Sequence, residues 1–394
     1  MADQFAIGAG NIQTLVKSSP YAHIEINQRR TAQLLAPDFR PLTNQARRSD
    51  MDLLLARSAL TGFIGRQEVW NDCLAWCHAP DTVSIRCITG PSGSGKTRLA
   101  LELVHHLRAL ADWDARFVEF FILEPFDLWA KTDGQNHVLL VFDQAGDVID
   151  TLAPSLQLLA NEAPRNTQRK LRVLLLARHA NWDEGWLSAL QPRSAIQESV
   201  RDRFDPDQPI RLGPLPEADC LALYTQAMQA AAVLTNLPQP HDPPPDIFAR
   251  SRMREALRDP LSLIMAAVTA VRCAVPDPFA LTRLELAYEL AASLARSMDG
   301  AFSENPQLAH HMAAYITLSS GLSRDQTQDA LDVEAHSNSL GVVLNPGGFV
   351  DRLRTWLPGD KTADDRVLGT SGVLIRDNRT SPHGRSTWLG QLEW

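Results

Sequence analysis

The sequence lacks the features that typify a membrane protein, an exported protein or a strongly basic nucleic-acid binder. Its 394 residues carry 38 basic and 46 acidic side chains, a formal net charge of −8. No apolar stretch approaches the roughly 18 residues that span a bilayer. Neither end shows a charged segment followed by the apolar core of an export signal. We therefore expect a cytoplasmic protein with no membrane partner, and the net charge does not indicate a nucleic-acid partner.

Cysteine is also scarce, and the five cysteines are an odd number that does not favour a disulfide framework. Cys73 and Cys77 lie four positions apart on an expected helix, with no second pair of ligands nearby. This spacing favours reduced thiols in a core over a zinc site. The sequence has no internal repeat either. Its apolar content of 44% is enough for two or three packed units.

The most informative stretch follows the apolar run Val83–Ile88 and precedes a leucine-rich helical pattern from Arg98 to Leu110. Here glycines allow backbone N–H groups to surround a β-phosphate, a lysine supplies a cation, and a threonine hydroxyl can bind Mg²⁺. The residues are Gly90, Pro91, Ser92, Gly93, Ser94, Gly95, Lys96 and Thr97. An ordinary glycine-rich turn is the alternative. The pattern predicts a nucleotide phosphate loop, with Arg98 as a further candidate contact.

A second candidate site element is the apolar run from Val138 to Phe142, which ends in Asp143. This Walker B pattern predicts a carboxylate that holds Mg²⁺ opposite Thr97; a buried strand that ends at a polar turn is the alternative. Gln144 stands where active P-loop hydrolases usually have a second carboxylate. Because an amide cannot accept the proton of the attacking water, we expect slow hydrolysis or none. Asp147 is expected to begin the next helix, which runs to about Leu159; the alternative is that its carboxylate reaches the site.

Three further apolar stretches complete a predicted sheet, at Arg116–Leu123, Leu171–Ala177 and Ile210–Leu212. The second of these strands ends at Arg178, whose guanidinium is a candidate sensor of the γ-phosphate, or else a surface arginine that caps the strand. Five strands separated by helices predict an α/β fold, a doubly wound parallel sheet with its ligand at the carboxyl ends of the strands. An all-helical lid domain is expected to follow.

The predicted domains are an extension of unknown role at 1–58, a nucleotide-binding domain at 59–213, a helical lid at 214–300, a small helical module of winged-helix type at 301–358, with a Gly347–Gly348 turn, and an irregular tail at 359–394. A hairpin is predicted within residues 12–26, and lid helices at 252–257, Leu261–Val271 and Leu281–Met298. Asp259 suits the N-cap of the second lid helix and Pro260 its first position.

These motifs resemble the STAND class of P-loop signalling ATPases, which are related to AAA+ proteins and include the bacterial NACHT-like proteins. The resemblance covers residues 60 to about 300 and adds FIGRQEV at 63–69, LLLARHANW at 174–182, LGPLPEAD at 212–219 and Asp259-Pro260-Leu261. It implies that Ile64 and Arg66 lie beside the adenine and that Pro260 reaches the nucleotide from the lid. It also implies an ATP/ADP switch with Mg²⁺, a homo-oligomer in the ATP-bound state and an unidentified protein partner.

Two other functions stay open on the sequence alone. An active AAA+-like ATPase, either a motor or a DNA-associated initiator, would be expected to have a carboxylate at 144 and a basic surface. A P-loop kinase for a small molecule would be expected to have a short, arginine-rich lid. The repeat array that STAND proteins commonly use for sensing is missing, so we expect a C-terminally shortened member or one that senses in another way.

Overall fold

The computed structural model describes residues 33–35, 50–119, 136–162, 168–190, 200–241, 258–318, 322–323, 327–332, 346–356, 366–367, 372–377 and 387–392. They fall into two compact units. We call the first the sheet unit; it contains residues 33–35 and Gly65–Gly213. The second, the helical unit, contains the described residues from 50 to 64 and those after Pro214.

The sheet unit is built on six strands. They are β1 (Gln33–Leu35), β2 (Val83–Thr89), β3 (Trp113–Glu119), β4 (His137–Phe142), β5 (Leu171–Ala177) and β6 (Ile210–Arg211). Their order in the sheet is β1-β3-β4-β5-β2-β6. All neighbours are parallel except β1, which pairs antiparallel with β3. The predicted doubly wound sheet of about five parallel strands is therefore confirmed.

Burial explains why most strands were predictable. Every residue of β2 and β5 is buried, and β4 is buried from Val138 onward. A parallel strand covered on both faces has a nearly continuous apolar sequence, which is the pattern used to predict it.

The strand predicted at Arg116–Leu123 begins earlier, at Trp113, and is described as far as Glu119, while residues 120–123 lie outside the described residues. Over its first four residues the buried Trp113 and Ala115 alternate with Asp114 and Arg116, which pair with each other at 2.7 Å. An alternating start gives a weaker apolar pattern than the denser apolar residues further along, which favoured the later start.

Three helices of the sheet unit connect these strands: α1 (Gln67–His78), α2 (Lys96–Arg108) and α3 (Ile149–Glu162). Cys73 and Cys77 are fully buried on α1, as expected of core cysteines, and burial raises the pKa of Cys77 to about 12. Asp147 does not begin α3. It lies in a 3-10 turn, Ala145–Val148, because Gln144 is left-handed and its carbonyl accepts the Asp147 N–H at 2.9 Å.

The helical unit begins with two 3-10 turns, Asp50–Leu54 and Ala56–Ser58. Its helices are α4 (Glu217–Thr235), α5 (Pro260–Arg272), α6 (Arg283–Ala301), α7 (Pro306–Leu318), α8 (327–332) and α9 (Pro346–Trp356). One core joins α4, α5 and α6, and many of its buried residues are alanines, which let helices approach closely. A second core surrounds Phe302 and Phe349, whose ring centroids are 5.1 Å apart.

Local capping fixes where two of these helices begin. The Asp259 carboxylate accepts the Ser262 N–H at 3.0 Å, and Pro260 is the first residue of α5. Thr282 and Glu285 form a reciprocal capping box at the start of α6. The predicted lid helices at Leu261–Val271 and Leu281–Met298 therefore correspond to α5 and α6.

The C-terminal region differs from the prediction in two places. Gly347 and Gly348 lie in the first turn of α9, after Pro346, rather than in a separate turn. The tail predicted to be irregular contains two antiparallel strands, β9 (Gly372–Asp377) and β10 (Thr387–Leu392). Short β-forming runs such as Val373-Leu374-Ile375 are too brief to give a periodic signal. A short antiparallel pair, β7 (Leu322–Ser323) with β8 (Arg366–Val367), precedes them.

Some predictions concern residues outside those described, namely the hairpin within 12–26 and the helix at 252–257. The domain boundaries stay predictions. Among the described helices, none combines the length and the hydropathy that crossing a membrane requires.

Candidate nucleotide-binding site

The loop between β2 and α2 is shaped by its three glycines. Gly93 has φ 86° and Gly95 has φ 92°, in the left-handed region that other residues avoid. Gly90 is needed for space, because a Cβ atom there would lie 2.7 Å from Ser94 Oγ and 3.1 Å from the Leu212 carbonyl oxygen. The loop is therefore a tight backbone cradle at the carboxyl end of β2, followed at once by the N-terminus of α2, where N–H groups favour anions.

The Lys96 side chain lies inside this cradle and is only 7% exposed. Its Nζ donates to the carbonyls of Gly90 at 2.7 Å and Pro91 at 3.0 Å, and to Ser94 Oγ at 3.4 Å. Burial lowers the pKa of Lys96, the Arg178 charge lowers it further, and the Asp143 charge opposes both. The loop thus fixes an ammonium group at the N-terminus of α2, an arrangement suited to phosphate oxygens.

Thr97, in the first turn of α2, and Asp143, directly after β4, bring two oxygen groups together. Thr97 Oγ1 donates to Asp143 Oδ2 at 2.7 Å, and the Gln144 N–H donates to Asp143 Oδ1 at 2.9 Å. Burial raises the pKa of Asp143, although both hydrogen bonds and the Lys96 charge lower it. A hydroxyl and a carboxylate side by side are the kind of oxygen ligands that Mg²⁺ takes next to bound phosphates. These residues therefore fit a magnesium-bound nucleotide.

Gln144 follows directly and is exposed, with left-handed backbone angles of φ 55° and ψ 42°. Its amide can orient a water molecule but cannot remove a proton from it. The nearest following carboxylate, Asp147, is exposed in the 3-10 turn. The turn therefore presents an amide directly after Asp143, and the expected slow hydrolysis stays a prediction.

Arg178 occupies the middle of the ligand edge, because β5 lies between β2 and β4 in the sheet. Its carbonyl accepts the Gly90 N–H at 3.3 Å, so the first glycine of the loop is bonded to the strand tip. Its charge also acts on the pKa of Lys96. Arg178 therefore ends the strand that lies between the phosphate loop and the strand of Asp143, and a contact of its guanidinium with nucleotide stays a prediction.

Arg66 contacts the phosphate loop from the start of α1. Its guanidinium donates to the Ser94 carbonyl at 3.4 Å and also to the Gly213 carbonyl. Arg66 itself is left-handed, with φ 65°, and immediately precedes the helix. The sequence indicated the segment around Arg66 but gave no sign of this contact, which links the loop to the end of the sheet unit.

The other predicted site residues are placed as follows. Ser94 is buried in the loop, Ser92 is partly buried and Pro91 is exposed. Arg98 pairs with Glu102 one turn along α2, at 2.6 Å. Ile64 packs against the core of the helical unit, and Pro260 lies in the same unit at the start of α5. Nucleotide contacts of Arg98, Ile64 and Pro260 remain predictions.

Two residues near the site were not predicted. Gly146 follows Gln144 by two positions, and the Trp186 side chain lies against it. The two residues are far apart in the chain, so no local pattern marks their contact.

No protein-family model matches the chain, and no curated protein matches it. Similar solved structures include Cdc6p from Pyrobaculum aerophilum, with 13% identity, 87% of this chain and 93% of that chain covered, and a TM-score of 0.37. The RuvB Holliday junction branch migration motor from Thermotoga maritima has 16% identity, coverage of 83% and 96%, and a TM-score of 0.36. NtrX from Brucella abortus in complex with ADP has 15% identity, coverage of 71% and 69%, and a TM-score of 0.36.

Structural similarity this weak indicates nothing about function, and the class of fold is defined by the geometry of the chain itself. The parallel sheet, the glycine cradle at the end of β2, the buried Lys96 and the Thr97–Asp143 pair define the α/β fold of a P-loop NTPase.

Proposed function

We propose that this protein is an ATP-binding signalling switch of the STAND type, with slow or absent hydrolysis. In this proposal its nucleotide state controls domain arrangement and oligomerisation. The observation that carries nucleotide binding is the 2.7 Å contact between Thr97 Oγ1 and Asp143 Oδ2, beside the buried Lys96. The observation that favours a switch is the amide of Gln144 at the adjacent position.

Each residue has a distinct role in binding. The loop N–H groups and Lys96 hold the β- and γ-phosphates, and the lysine exchanges its carbonyl acceptors for phosphate oxygens. Thr97 and Asp143 hold Mg²⁺, which neutralises charge on the phosphates when bound. Arg178, at the tip of the central strand, contacts the γ-phosphate, the group that distinguishes ATP from ADP.

An active AAA+-like ATPase, including a DNA-associated one, would use the same loop, the same oxygen pair and the same strand-tip arginine. Binding geometry alone therefore supports both functions, and nucleic acid is a partner to be tested. Gln144 favours the switch over the active ATPase, because active hydrolysis calls for a group that accepts a proton. The exposed Asp147, whose backbone N–H is bonded to the Gln144 carbonyl, is the other carboxylate to test as a base.

The substitution Lys96→Ala tests nucleotide binding. Loss of the ammonium removes a charged donor to the phosphates, so we expect the affinity for a fluorescent ATP analogue, measured by anisotropy, to fall at least about 100-fold. Lys170→Ala is a matched control, because the Lys170 Nζ also donates to a backbone carbonyl at 2.7 Å, that of His78, outside the site. Unchanged affinity in folded Lys96→Ala protein would reject the nucleotide site.

A further inference from the structure

Trp186 contacts two segments that both leave the candidate site. Its indole Nε1 donates to the His179 carbonyl at 2.7 Å. The same ring lies on Gly146, where a Cβ atom would be 3.0 Å from Trp186 Cδ1 and 3.3 Å from both Cγ and Nε1. His179 follows Arg178 at the end of β5, and Gly146 belongs to the turn that begins with Gln144. One side chain therefore joins the tips of β4 and β5.

With this side chain included, the contacts around the site form a closed ring. The other links are Gly90 N to Arg178 O at 3.3 Å, Lys96 Nζ to Gly90 O at 2.7 Å, Thr97 Oγ1 to Asp143 Oδ2 at 2.7 Å, Gln144 N to Asp143 Oδ1 at 2.9 Å and Asp147 N to Gln144 O at 2.9 Å. Trp186 is the side chain that closes the ring between β5 and β4.

The segment that carries Trp186 is anchored separately from the site. Trp182 is 2% exposed, its Nε1 donates to the Asp207 carbonyl at 2.7 Å, and its ring centroid lies 4.8 Å from that of Phe204. Gly185, with φ 83°, forms the turn that directs Trp186 back toward Gly146. Trp186 itself is only partly buried, at the edge of the core. Packing in the core therefore explains the presence of a tryptophan at position 182 better than it explains the one at position 186.

We propose that Trp186 is a positioning residue that couples Arg178 to the Gln144 turn and thereby sets the preference for ATP over ADP. This inference rests on the proposed nucleotide switch. A γ-phosphate contacted by Arg178 changes the position of the adjoining His179 carbonyl, and the indole moves with its acceptor. Because Gly146 has no side chain to give way, the movement reaches the turn that carries Gln144. In this proposal the contact is more favourable in the ATP-bound state, so by linkage its weakening lowers the affinity for ATP but not for ADP.

The substitution Trp186→Phe keeps an aromatic ring on Gly146 and removes the donor to His179. We expect the ratio of ATPγS affinity to ADP affinity, measured by calorimetry with Mg²⁺, to fall about fivefold, while ADP affinity changes by less than about twofold. Gly146→Ala perturbs the same contact from the other side, since its Cβ meets the indole at 3.0 Å, and the ratio is expected to fall here too.

Trp182→Phe is the matched control, because it also removes an indole-to-carbonyl bond of 2.7 Å, but to Asp207 outside the ring. It is expected to lower thermal stability and leave the ratio unchanged. Tryptophan fluorescence adds a second readout: a spectral difference between the ATPγS and ADP complexes of the wild type, which has nine tryptophans, should disappear in Trp186→Phe.

The outcomes separate the inference from the proposed function. A wild type that prefers ATPγS, with an unchanged ratio in both Trp186→Phe and Gly146→Ala, would overturn the role of Trp186 and leave the switch standing. An equal fall of the ratio in Trp182→Phe would also overturn it, because general loosening would then explain the effect. A wild type that binds ATPγS and ADP equally would reject the switch itself, and the coupling with it.

Discussion

At Gln144, the amide follows the magnesium-binding carboxylate of the proposed site and is exposed at the sheet edge. The substitution Gln144→Glu supplies a group that accepts a proton, so we expect phosphate release to equal or exceed that of the wild type. A steady-state phosphate-release assay with excess ATP and Mg²⁺ measures this directly.

Asp147→Asn is the control for Gln144→Glu. If Asp147 only forms the 3-10 turn, its substitution leaves the phosphate-release rate unchanged. A wild type that already turns over at about 10 per second would contradict slow hydrolysis and favour the motor-like alternative.

Individual site residues differ in how far the sequence reveals them. Lys96 and Thr97 belong to a contiguous pattern, and Asp143 ends an apolar run, so each was predictable from neighbouring residues. The contact of Arg66 with the Ser94 carbonyl and that of Trp186 with Gly146 join distant parts of the chain. Neither arginine nor tryptophan signals such a contact locally, because both types also occur commonly at surfaces and in cores.

Among the elements, α1 is fixed to the sheet by two buried arginines that lie close to Trp76. The guanidinium carbons of Arg86 and Arg172 lie 4.9 and 6.0 Å from the Trp76 ring centroid. Arg172, from β5, also donates to the carbonyls of Trp76 at 3.0 Å, Ala79 at 2.7 Å and Asp81 at 2.8 Å. These bonds satisfy carbonyls at and just beyond the C-terminus of α1, where the helix no longer supplies N–H donors. The opposite end of the same helix begins next to Arg66, which contacts the phosphate loop.

The substitution Arg172→Met tests this attachment. The substitution removes one buried and two partly buried hydrogen bonds, so we expect the free energy of unfolding to fall by about 2 kcal/mol or more. Urea denaturation followed by circular dichroism measures the change. Arg211→Met, at an exposed position on β6, is the control and is expected to change stability by less than about 0.5 kcal/mol. Similar losses in both variants would show that Arg172 has no special role in holding α1.

The strands show which structural information a sequence carries locally. The limits of β5 agree with the prediction because its burial on both faces produces a continuous apolar run. The start of β3 was misplaced because its alternating first residues give a weaker apolar pattern. The position of β5 between β2 and β4, which places Arg178 between the phosphate loop and the strand of Asp143, depends on pairing between distant strands rather than on a local pattern. The pairing of β1 with β3 is another long-range contact of this kind.

For the whole molecule, the proposed switch requires that ATP and ADP favour different arrangements of the protein. A ligand shifts such an equilibrium only by the difference in its affinity for the two states, and here that difference must come from the γ-phosphate. Arg178 and Gln144 follow neighbouring strands of the same unit, so the residue proposed to detect the γ-phosphate lies near the turn that it is proposed to act on. The remaining question is whether detection of the γ-phosphate changes the oligomeric state of the protein.

Native mass measurement of the wild type with ATP and Mg²⁺, and separately with ADP and Mg²⁺, answers it. We expect a defined dimer or ring with ATP and monomer with ADP, because only ATP offers Arg178 a γ-phosphate. Lys96→Ala, which has lost the nucleotide, should remain monomeric in both solutions, and removal of Mg²⁺ with EDTA should weaken assembly of the wild type. Equal masses in ATP and ADP would contradict the switch and favour a monomeric kinase. ATP-dependent assembly that also requires duplex DNA would instead support the DNA-associated ATPase, because DNA would then be the ligand that the assembled state prefers.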